Sequence, residues 1–328
     1  MRLQGVRETE GEKHVRCVVT GGAGFIGSHL TERLVSEGHE VTVIDNLATG
    51  NKERLEGVLE RIEFVEADIQ DLQLLKKLFE GVDVVFHQAA LPSVARSVED
   101  PLRSNESNVT GTLTVLEAAR AKKVGKVIYA ASSSAYGDTP TLPKREDMKP
   151  APRSPYAVSK LTGEYYCETY FRLFGVQTVS LRYFNVFGPR QDPHSQYAAV
   201  IPRFITAALT GKPACVYGDG LQSRDFTYVE NVVEANMLAA RSDRAAGEVI
   251  NIACGERCTL LDLLKMIGRI LGRTGPVPAE FTDPRPGDVR HSLADISKAR
   301  ELLGYRAQVT VEEGLRRTIE WYRSQKPA

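Results

Sequence analysis

The chain has 328 residues, of which 42% are hydrophobic and 26% charged, as in a globular protein with one large core or with a core and a smaller lobe. Its 42 basic and 42 acidic residues balance, which excludes the basic surface of a nucleic-acid-binding protein. No apolar run approaches the roughly 20 residues of a membrane helix, and residues 1–14 lack a signal-peptide core, so neither a membrane partner nor secretion is expected. The five scattered cysteines predict a reduced, cytoplasmic protein without a metal site.

After residue 14 the pattern predicts a strand, a glycine-rich loop, a helix and a second strand. The apolar run at residues 15–20 leads into Gly21, Gly24 and Gly27, and apolar residues then recur at helical spacing. Glycines at this spacing let backbone N–H groups approach a pyrophosphate at the start of the helix. Asp45 ends the second strand, where a carboxylate accepts hydrogen bonds from adenosine ribose and repels a 2′-phosphate. The unit therefore predicts binding of NAD rather than NADP.

Strands and helices continue to alternate as far as residue 187. Further strands are predicted at residues 62–65, 82–87, 127–131 and 176–181, with helices at 72–79, 108–121 and 155–173. This alternation indicates an α/β fold, a doubly wound parallel sheet of the Rossmann type. Ligands of such sheets lie at the carboxyl ends of the strands, so we expect convergence there of Asp45, Asp68, Gln88, Ser132 and Tyr183.

Beyond Asn185 the sequence becomes rich in glycine and proline, with shorter predicted helices at 198–209, 260–271 and 311–322. We expect a polar N-terminal extension at residues 1–14, a dinucleotide-binding domain at 15–187, and a smaller mixed α/β substrate lobe from 188–229 and 253–328. A helix near 230–240 and a strand at 249–251 are expected to return to the first domain, within a segment at about 230–252.

The stretch Ser154-Pro155-Tyr156-Ala157-Val158-Ser159-Lys160 carries the predicted chemistry. Serine before proline predicts a helix N-cap with proline in the first turn, which places Tyr156 and Lys160 four residues apart on one face. An ammonium beside a phenol favours the phenolate, a base for a sugar or alcohol hydroxyl at neutral pH. Such pairs are common on helix surfaces, and the glycine loop supplies the cofactor that makes this pair a candidate for catalysis.

Jointly these motifs resemble the extended short-chain dehydrogenase/reductases, over essentially the whole chain after residue 14. The matching residues are Thr20-Gly21-x-x-Gly24-x-x-Gly27, Asp45-Asn46, Asp68-Ile69, the Ser132 strand end and Tyr156-x-x-x-Lys160. Residues 181–188, 223–226 and 285–288 are similar to the substrate segments of nucleotide-sugar 4-epimerases, and residues 190–193 and 287–292 look most like bacterial UDP-N-acetylglucosamine 4-epimerases. The resemblance implies a UDP-sugar substrate, tightly bound NAD, and a homodimer paired through helices 108–121 and 155–173.

The resemblance also implies a mechanism and a role for each matching residue. Tyr156 takes the proton of the sugar 4-hydroxyl while hydride leaves C4 for NAD, the 4-keto sugar swings over, and hydride and proton return on the opposite face. Lys160 lowers the pKa of the tyrosine and holds the nicotinamide ribose, and Ser132 bonds to the same sugar oxygen. Further cofactor contacts are implied for Gly21, Gly24, Phe25, Ile26, Gly27, Asp45, Asn46, Asp68, Ile69, Gln88, Ala89, Ala90, Asn108 and Tyr183. Substrate contacts are implied for Ser132, Ser133, Ser134, Asn185, Arg224, Arg285, Asp288 and Ser292.

Ser292 matches the position where these epimerases have either a tyrosine or a small residue. A small side chain leaves room for a 2-N-acetyl group, so UDP-GlcNAc and UDP-GalNAc are expected, with UDP-glucose and UDP-galactose as further candidates. Nucleotide-sugar 4,6-dehydratases have Asp-Glu where this chain has Ser133 and Ser134, which argues against a dehydratase. Decarboxylases of UDP-glucuronate have Glu at the second of these positions, so Ser134 argues against a decarboxylase too. A UDP-glucuronate 4-epimerase, or another NAD-dependent nucleotide-sugar enzyme, stays open. A non-catalytic dinucleotide-binding regulator is a distant alternative, because Tyr156 and Lys160 are both present.

Overall fold

The computed structural model describes residues 14–192, 199–284 and 289–325. In chain order the strands are β1 (Arg16–Thr20), β2 (Glu40–Asp45), β3 (Glu63–Glu66), β4 (Val84–His87), β5 (Lys126–Ser132), β6 (Thr178–Tyr183), β7 (Val186–Phe187), β8 (Ala214–Tyr217), β9 (Ser223–Arg224), β10 (Thr227–Tyr228), β11 (Val249–Ile252), β12 (Cys258–Thr259) and β13 (Ala279–Thr282). The α-helices are α1 (Phe25–Ser36), α2 (Leu72–Leu78), α3 (Val94–Glu99), α4 (Pro101–Asn105), α5 (Gly111–Lys122), α6 (Pro155–Phe174), α7 (Val200–Leu209), α8 (Val229–Arg241), α9 (Leu260–Ile270), α10 (Ser297–Leu303) and α11 (Val311–Ser324).

Seven of these strands form one sheet, in the order β11-β6-β5-β4-β1-β2-β3. Every neighbouring pair in the sheet is parallel. The inner strands are apolar on both faces, as parallel strands covered by helices must be: in β5 every residue before Ser132 is buried. The prediction of a Rossmann-type, doubly wound α/β fold is confirmed.

Two apolar cores lie on opposite faces of the sheet. One packs α1, α8 and α10 against it around residues such as Leu30, Val232 and Leu303. The other packs α2, α5 and α6 around residues such as Leu75 and Leu116. Helices on both faces leave the carboxyl ends of the strands as the open edge at which ligands of such sheets bind.

A third core holds the remaining elements together, around Phe204, Leu263 and Ile319. It joins α7, α9 and α11 to short two-stranded pairs: β7 with β10, β8 with β13, and β9 with β12. The chain between these elements returns to the main sheet: α8 packs against α1, and β11 pairs with β6 at the edge of the sheet. Within the described segments, no helix is both long enough and apolar enough to cross a bilayer.

One predicted helix differs from the structure at its start. The sequence predicts α-helix from residue 108, whereas Glu106–Thr110 forms a turn of π-helix and α5 begins at Gly111. The side chain of Asn108, within this turn, bonds to the backbone of Leu91. A tertiary contact of this kind leaves no local signal in the sequence, and π-turns are typical of functional regions.

Candidate active site

A cleft of about 850 Å³ opens at the carboxyl ends of the central strands. Its walls include almost all the residues for which the sequence predicts cofactor contacts: Gly21, Gly24, Phe25, Ile26, Gly27, Asp45, Asn46, Asp68, Ile69, Gln88, Ala89, Ala90, Tyr156, Lys160 and Tyr183. These residues come from segments spread over more than 160 positions of the chain. The parallel order of the strands brings them to one edge of the sheet.

The glycine loop fits a pyrophosphate. A Cβ at Gly27 would lie 2.1 Å from the carbonyl oxygen of Gly21, so only glycine allows this close turn. Gly24 is the N-cap of α1, and among the described residues no side chain caps this helix and no acidic residue occupies its first turn. The N–H groups of Phe25, Ile26 and Gly27 therefore face the cleft end of the helix without intrahelical acceptors, and this is an anion site.

Asp45 lies at the end of β2, beside the glycine loop, and lines the cleft. Its carboxylate accepts from the Ala23 N–H at 2.9 Å and from the Leu47 N–H at 2.8 Å. Burial raises the pKa of Asp45, although both of these hydrogen bonds oppose the rise. Each oxygen keeps a further lone pair, which suits the two hydroxyls of a ribose. Asp68 accepts from Asn46 Nδ2 at 2.8 Å at the neighbouring strand end and completes this rim of the cleft.

The start of α6 has the predicted geometry. The Ser154 hydroxyl accepts from the Ala157 N–H at 3.1 Å, and Pro155 occupies the first turn. Tyr156 and Lys160 both line the cleft. Burial raises the pKa of Tyr156, while a hydrogen bond with Ser132 lowers it. The effect on the pKa indicates that the Ser132 hydroxyl, at the end of β5, lies close to the predicted base.

Lys160 is a buried cation. Its Nζ lies 4.4 Å from the centroid of the Tyr129 ring, a favourable cation–π geometry. Burial lowers the pKa of Lys160 to about 8, and the negative charge of Glu164, one helical turn further on, opposes this effect. Glu164 is in turn held by Arg182 through two hydrogen bonds of 3.0 and 2.7 Å. The ammonium is thus positioned against an aromatic ring within reach of a buried ion pair.

The three consecutive serines follow β5 directly. The Ser132 hydroxyl lies 2.9 Å from the Ser134 hydroxyl and also accepts from the Ser134 N–H at 3.2 Å. Ser133 begins the short 3₁₀ helix Ser133–Tyr136. The hydroxyl groups of Ser132 and Ser134 therefore lie together just after Ala130 and Ala131, which line the cleft, whereas the three serines are not among its lining residues.

Asn108, for which the sequence predicts a cofactor contact, is not among the residues that line the cleft. It is buried and bonds to both backbone groups of Leu91, accepting from N–H at 2.7 Å and donating to C=O at 3.2 Å. Its Nδ2 also donates to the Ser159 hydroxyl at 3.0 Å. Since Leu91 lines the cleft, these bonds of Asn108 fix the loop after β4 at the cleft wall.

Three of the predicted substrate residues, Asn185, Arg224 and Ser292, are connected by hydrogen bonds around β9. Asn185 Nδ2 donates to the Ser292 hydroxyl and to the Asp225 carbonyl, both at 3.1 Å. Arg224 Nη1 donates to the carbonyls of Ser223 and Arg290 at 3.0 and 3.2 Å. Arg285 and Asp288, predicted to bind the diphosphate and the uridine ribose, lie outside the described residues.

Two buried polar groups behind the cleft complete its hydrogen bonding. His87 bonds to the hydroxyls of Thr20 and Thr112 at 2.8 and 2.9 Å, and burial followed by the charge of Lys160 lowers its pKa to about 3. Both ring nitrogens of this neutral histidine are hydrogen-bonded, so His87 has a structural role here.

The other group, Asn236, was not predicted from the sequence. It lies on α8 and is fully buried. Its Nδ2 donates to the Tyr183 hydroxyl at 2.8 Å, and its Oδ1 accepts from Gln88 Nε2 at 3.1 Å. Tyr183 and Gln88 both line the cleft, so this amide joins two of its walls. The available signal in the sequence was an amide side chain within a largely apolar helix, and Asn231 gives the same signal on the same helix.

Comparisons with known proteins agree with this geometry. The model of the NAD dependent epimerase/dehydratase family matches residues 17–253. A solved UDP-N-acetylglucosamine 4-epimerase from Methanobrevibacter ruminantium M1, in complex with UDP-N-acetylmuramic acid, is 43% identical with a TM-score of 0.91, covering 95% of this chain and 99% of that one. The UDP-glucose 4-epimerase of Mycolicibacterium smegmatis is 40% identical over 314 residues, 94% of this chain and 99% of that protein. A Bacillus cereus UDP-glucuronic acid 4-epimerase, in complex with UDP-glucuronic acid and NAD, is 35% identical with a TM-score of 0.86. The match covers 94% of this chain and 99% of that one.

The chain belongs to the NAD dependent epimerase/dehydratase family. Within it, the chain is one of the NAD-dependent UDP-sugar 4-epimerases, and the predictions of an isomerase and of NAD as its cofactor are confirmed. The names of the three relatives include different sugars, so the family fixes the reaction class and the cofactor and leaves the sugar to be argued from the site.

Proposed function

We propose that this enzyme interconverts UDP-N-acetylglucosamine and UDP-N-acetylgalactosamine, and that it also acts on UDP-glucose and UDP-galactose. The supporting observation is the position of Ser292, whose hydroxyl accepts from Asn185 Nδ2 at 3.1 Å. Asn185 follows β6, the strand that ends on Tyr183 in the cleft wall. A serine at this place leaves volume that a tyrosine would fill, and that volume suits a 2-N-acetyl group.

In this proposal Tyr156 is the base and acid, used once in each direction. Bound NAD supplies a hydride acceptor that returns the hydride. Tyr156 takes the proton of the 4-hydroxyl and gives it back, and Ser132, whose hydroxyl lowers the pKa of Tyr156, holds the sugar oxygen. Because burial raises the pKa of Tyr156, its phenolate requires the nearby positive charge of Lys160.

The nucleotide part of the substrate is assigned to the lobe formed by residues 188–229 and 253–328. Arg224 supplies a guanidinium for the diphosphate, and Asn185 supplies an amide donor beside it. Arg285 and Asp288 keep the roles that the family resemblance implies. The reacting groups come from the domain at residues 15–187, which also contributes Asn185 to the recognition of the substrate.

A second candidate substrate is UDP-glucuronate. The clustered hydroxyls of Ser132 and Ser134, 2.9 Å apart, are neutral donors of the kind that a sugar carboxylate accepts from. The 35% identical Bacillus cereus relative is named for that substrate. This candidate needs the same base and the same cofactor, so only the substituents of the sugar separate it from the first.

The test is incubation of the enzyme with UDP-GlcNAc, UDP-glucose and UDP-glucuronate, with the 4-epimers resolved by NMR. We expect turnover of the first two and loss of turnover in Tyr156→Phe. Ser292→Tyr should lower kcat/KM for UDP-GlcNAc at least ten-fold while UDP-glucose is still converted, because the extra volume of tyrosine clashes with the acetamido group. Ser324→Tyr, on an exposed turn of α11, is the matched control. Unchanged UDP-GlcNAc turnover in Ser292→Tyr would contradict the proposal.

We also propose that two copies of the chain pair through α5 and α6. Val158 and Tyr165 lie two turns apart on α6 and are 49% and 53% exposed. Leu102 on α4, which packs against α6, is 76% exposed. Apolar side chains grouped on neighbouring helices are typical of an interaction surface, and a two-fold axis would cover each copy of this face with the other.

A further inference from the structure

The cofactor end of the cleft contains an arginine to which the sequence motifs assign no role. Arg54 lies in the short 3₁₀ helix Lys52–Leu55 and lines the cleft together with Gly24, Asp45 and Thr49. Its Nη1 donates to the Ala23 carbonyl at 3.1 Å and to the Thr49 carbonyl at 3.5 Å. These bonds tie the guanidinium to the glycine loop on one side and to the loop after β2 on the other.

Arg54 is surrounded by charged groups of both signs. The groups that act on it are the acids Asp45 and Asp192, the phenol of Tyr322 and the like charge of Arg190. Arg190 has its own acid, since its Nη2 donates to Glu32. Burial lowers the pKa of Arg54 in spite of Asp45 and Asp192. A guanidinium has five N–H donors, and the bonds to the two carbonyls use one of its nitrogens.

The anion site beside Arg54 needs such a cation. A helix N-terminus supplies the equivalent of roughly half a positive charge, whereas the pyrophosphate of a dinucleotide has two negative charges. Asp45 adds another negative charge at the same end of the cleft. The N–H groups of α1 alone therefore leave the bound anion undercompensated.

We propose that Arg54 binds the pyrophosphate of the cofactor, adding a cation to the N–H groups at the start of α1. A guanidinium suits phosphate oxygens because its donors form a planar fork. The carbonyls of Ala23 and Thr49 hold this fork in place before the cofactor arrives, so little side-chain freedom is lost on binding. The proposal rests on NAD as the cofactor and does not depend on which sugar is epimerised.

The experiment compares the full-length wild type with Arg54→Gln and Arg54→Lys. Each protein is loaded with NAD, and the rate of NAD release is followed at a series of salt concentrations. We expect Arg54→Gln to release NAD at least ten-fold faster, with a weaker dependence on salt because one ionic contact is missing. Arg54→Lys keeps the charge, so its rate of NAD release should lie between those of the wild type and Arg54→Gln.

Competing ligands separate a phosphate contact from a structural one. ADP-ribose contains the pyrophosphate and adenosine does not, so Arg54→Gln should raise the inhibition constant of ADP-ribose about ten-fold and leave that of adenosine unchanged. Arg61→Gln is the matched control, since Arg61 donates to the Val35 carbonyl at 2.7 Å and does not line the cleft. Equal weakening of both competitors would show that Arg54 only holds the loop. Unchanged NAD release would show that it makes no contact, and either result overturns the proposal.

Discussion

At the scale of single residues, Lys160 shows the cost of placing a cation in a dry site. The pKa of this buried ammonium falls from 10.5 to about 8 because burial disfavours its charged form. The folded chain therefore binds this proton less tightly than the unfolded chain does, and Lys160 destabilises the fold wherever it is charged. We expect the same property to serve catalysis, since a weakly solvated ammonium acts strongly on a neighbouring phenol.

The prediction from this is that Lys160→Met gains stability and loses activity. At pH 7 the unfolding free energy should rise by up to about 3 kcal/mol, which is the free energy that corresponds to the pKa shift, while turnover falls at least 100-fold. In the wild type, stability should increase with pH between about 8 and 10.5, and this increase should be smaller in the variant. Urea unfolding at several pH values measures the stability and its pH dependence, and the NMR assay of epimerisation measures the turnover.

Lys126→Met is the control for that experiment. The Lys126 ammonium donates to the carbonyls of Ala240 and Ser242 at 3.0 and 2.9 Å, at the end of α8. Removing it leaves those carbonyls without the charge-assisted bonds, so this variant should lose roughly 1–2 kcal/mol. A Lys160→Met protein that is also less stable than the wild type at pH 7 would contradict the interpretation of Lys160.

At the scale of elements, the catalytic helix depends on its close approach to β5. A Cβ built on Gly163 of α6 would lie 2.2 Å from the Tyr129 hydroxyl, so the absence of a side chain there lets the tyrosine fit beneath the helix. The Tyr129 hydroxyl donates to the Lys160 carbonyl at 3.2 Å, and its ring lies under the Lys160 ammonium. One glycine therefore sets the distance between the helix that contains the base and the strand that ends on Ser132.

We predict that Gly163→Ala pushes α6 away from β5. The unfolding free energy should fall by about 1–3 kcal/mol, as for other overpacked sites, and kcat should fall because Tyr156 moves relative to Ser132. Gly57→Ala is the control, since a Cβ there has nothing within 4 Å. Denaturant unfolding and NMR turnover assays give the two readouts. Wild-type stability together with wild-type turnover in Gly163→Ala would refute this packing argument.

The elements also show which parts of the fold were open to prediction. β1, β2, β5 and α6 have strong local signals: continuous apolar runs, a glycine loop, and a serine N-cap before proline. The π-turn at Glu106–Thr110 and the two-residue strands β9 and β12 have none, because they form through contacts with distant segments. Local patterns identify an element only where its own residues determine it.

At the scale of the whole molecule, the position of the cleft was predictable and part of its construction was not. Asp45, Gln88 and Tyr183 meet because parallel strands end at one edge, and this follows from strand order alone. Arg54 lines the same cleft from the short 3₁₀ helix Lys52–Leu55, and Asn236 supports two of its walls from behind, from a helix on the sheet's face. Their places depend on the folded backbone, so a single sequence gives no reason to choose them over other arginines and asparagines.

The pairing of two copies gives a prediction at this same scale. Val158→Glu with Tyr165→Glu places two carboxylates on the exposed face of α6, and in a dimer these would face the partner copy without a counter-charge. Light scattering should give the mass of two chains for the wild type and of one chain for the double variant. The Tm of the wild type should rise with protein concentration, and that of the variant should not. Phe281→Glu, at a residue 56% exposed on β13, tests whether any charge on an exposed apolar residue has this effect, and it should leave the dimer intact. A wild type with the mass of one chain, or a Phe281→Glu protein that dissociates equally, would show that the face on α5 and α6 does not pair.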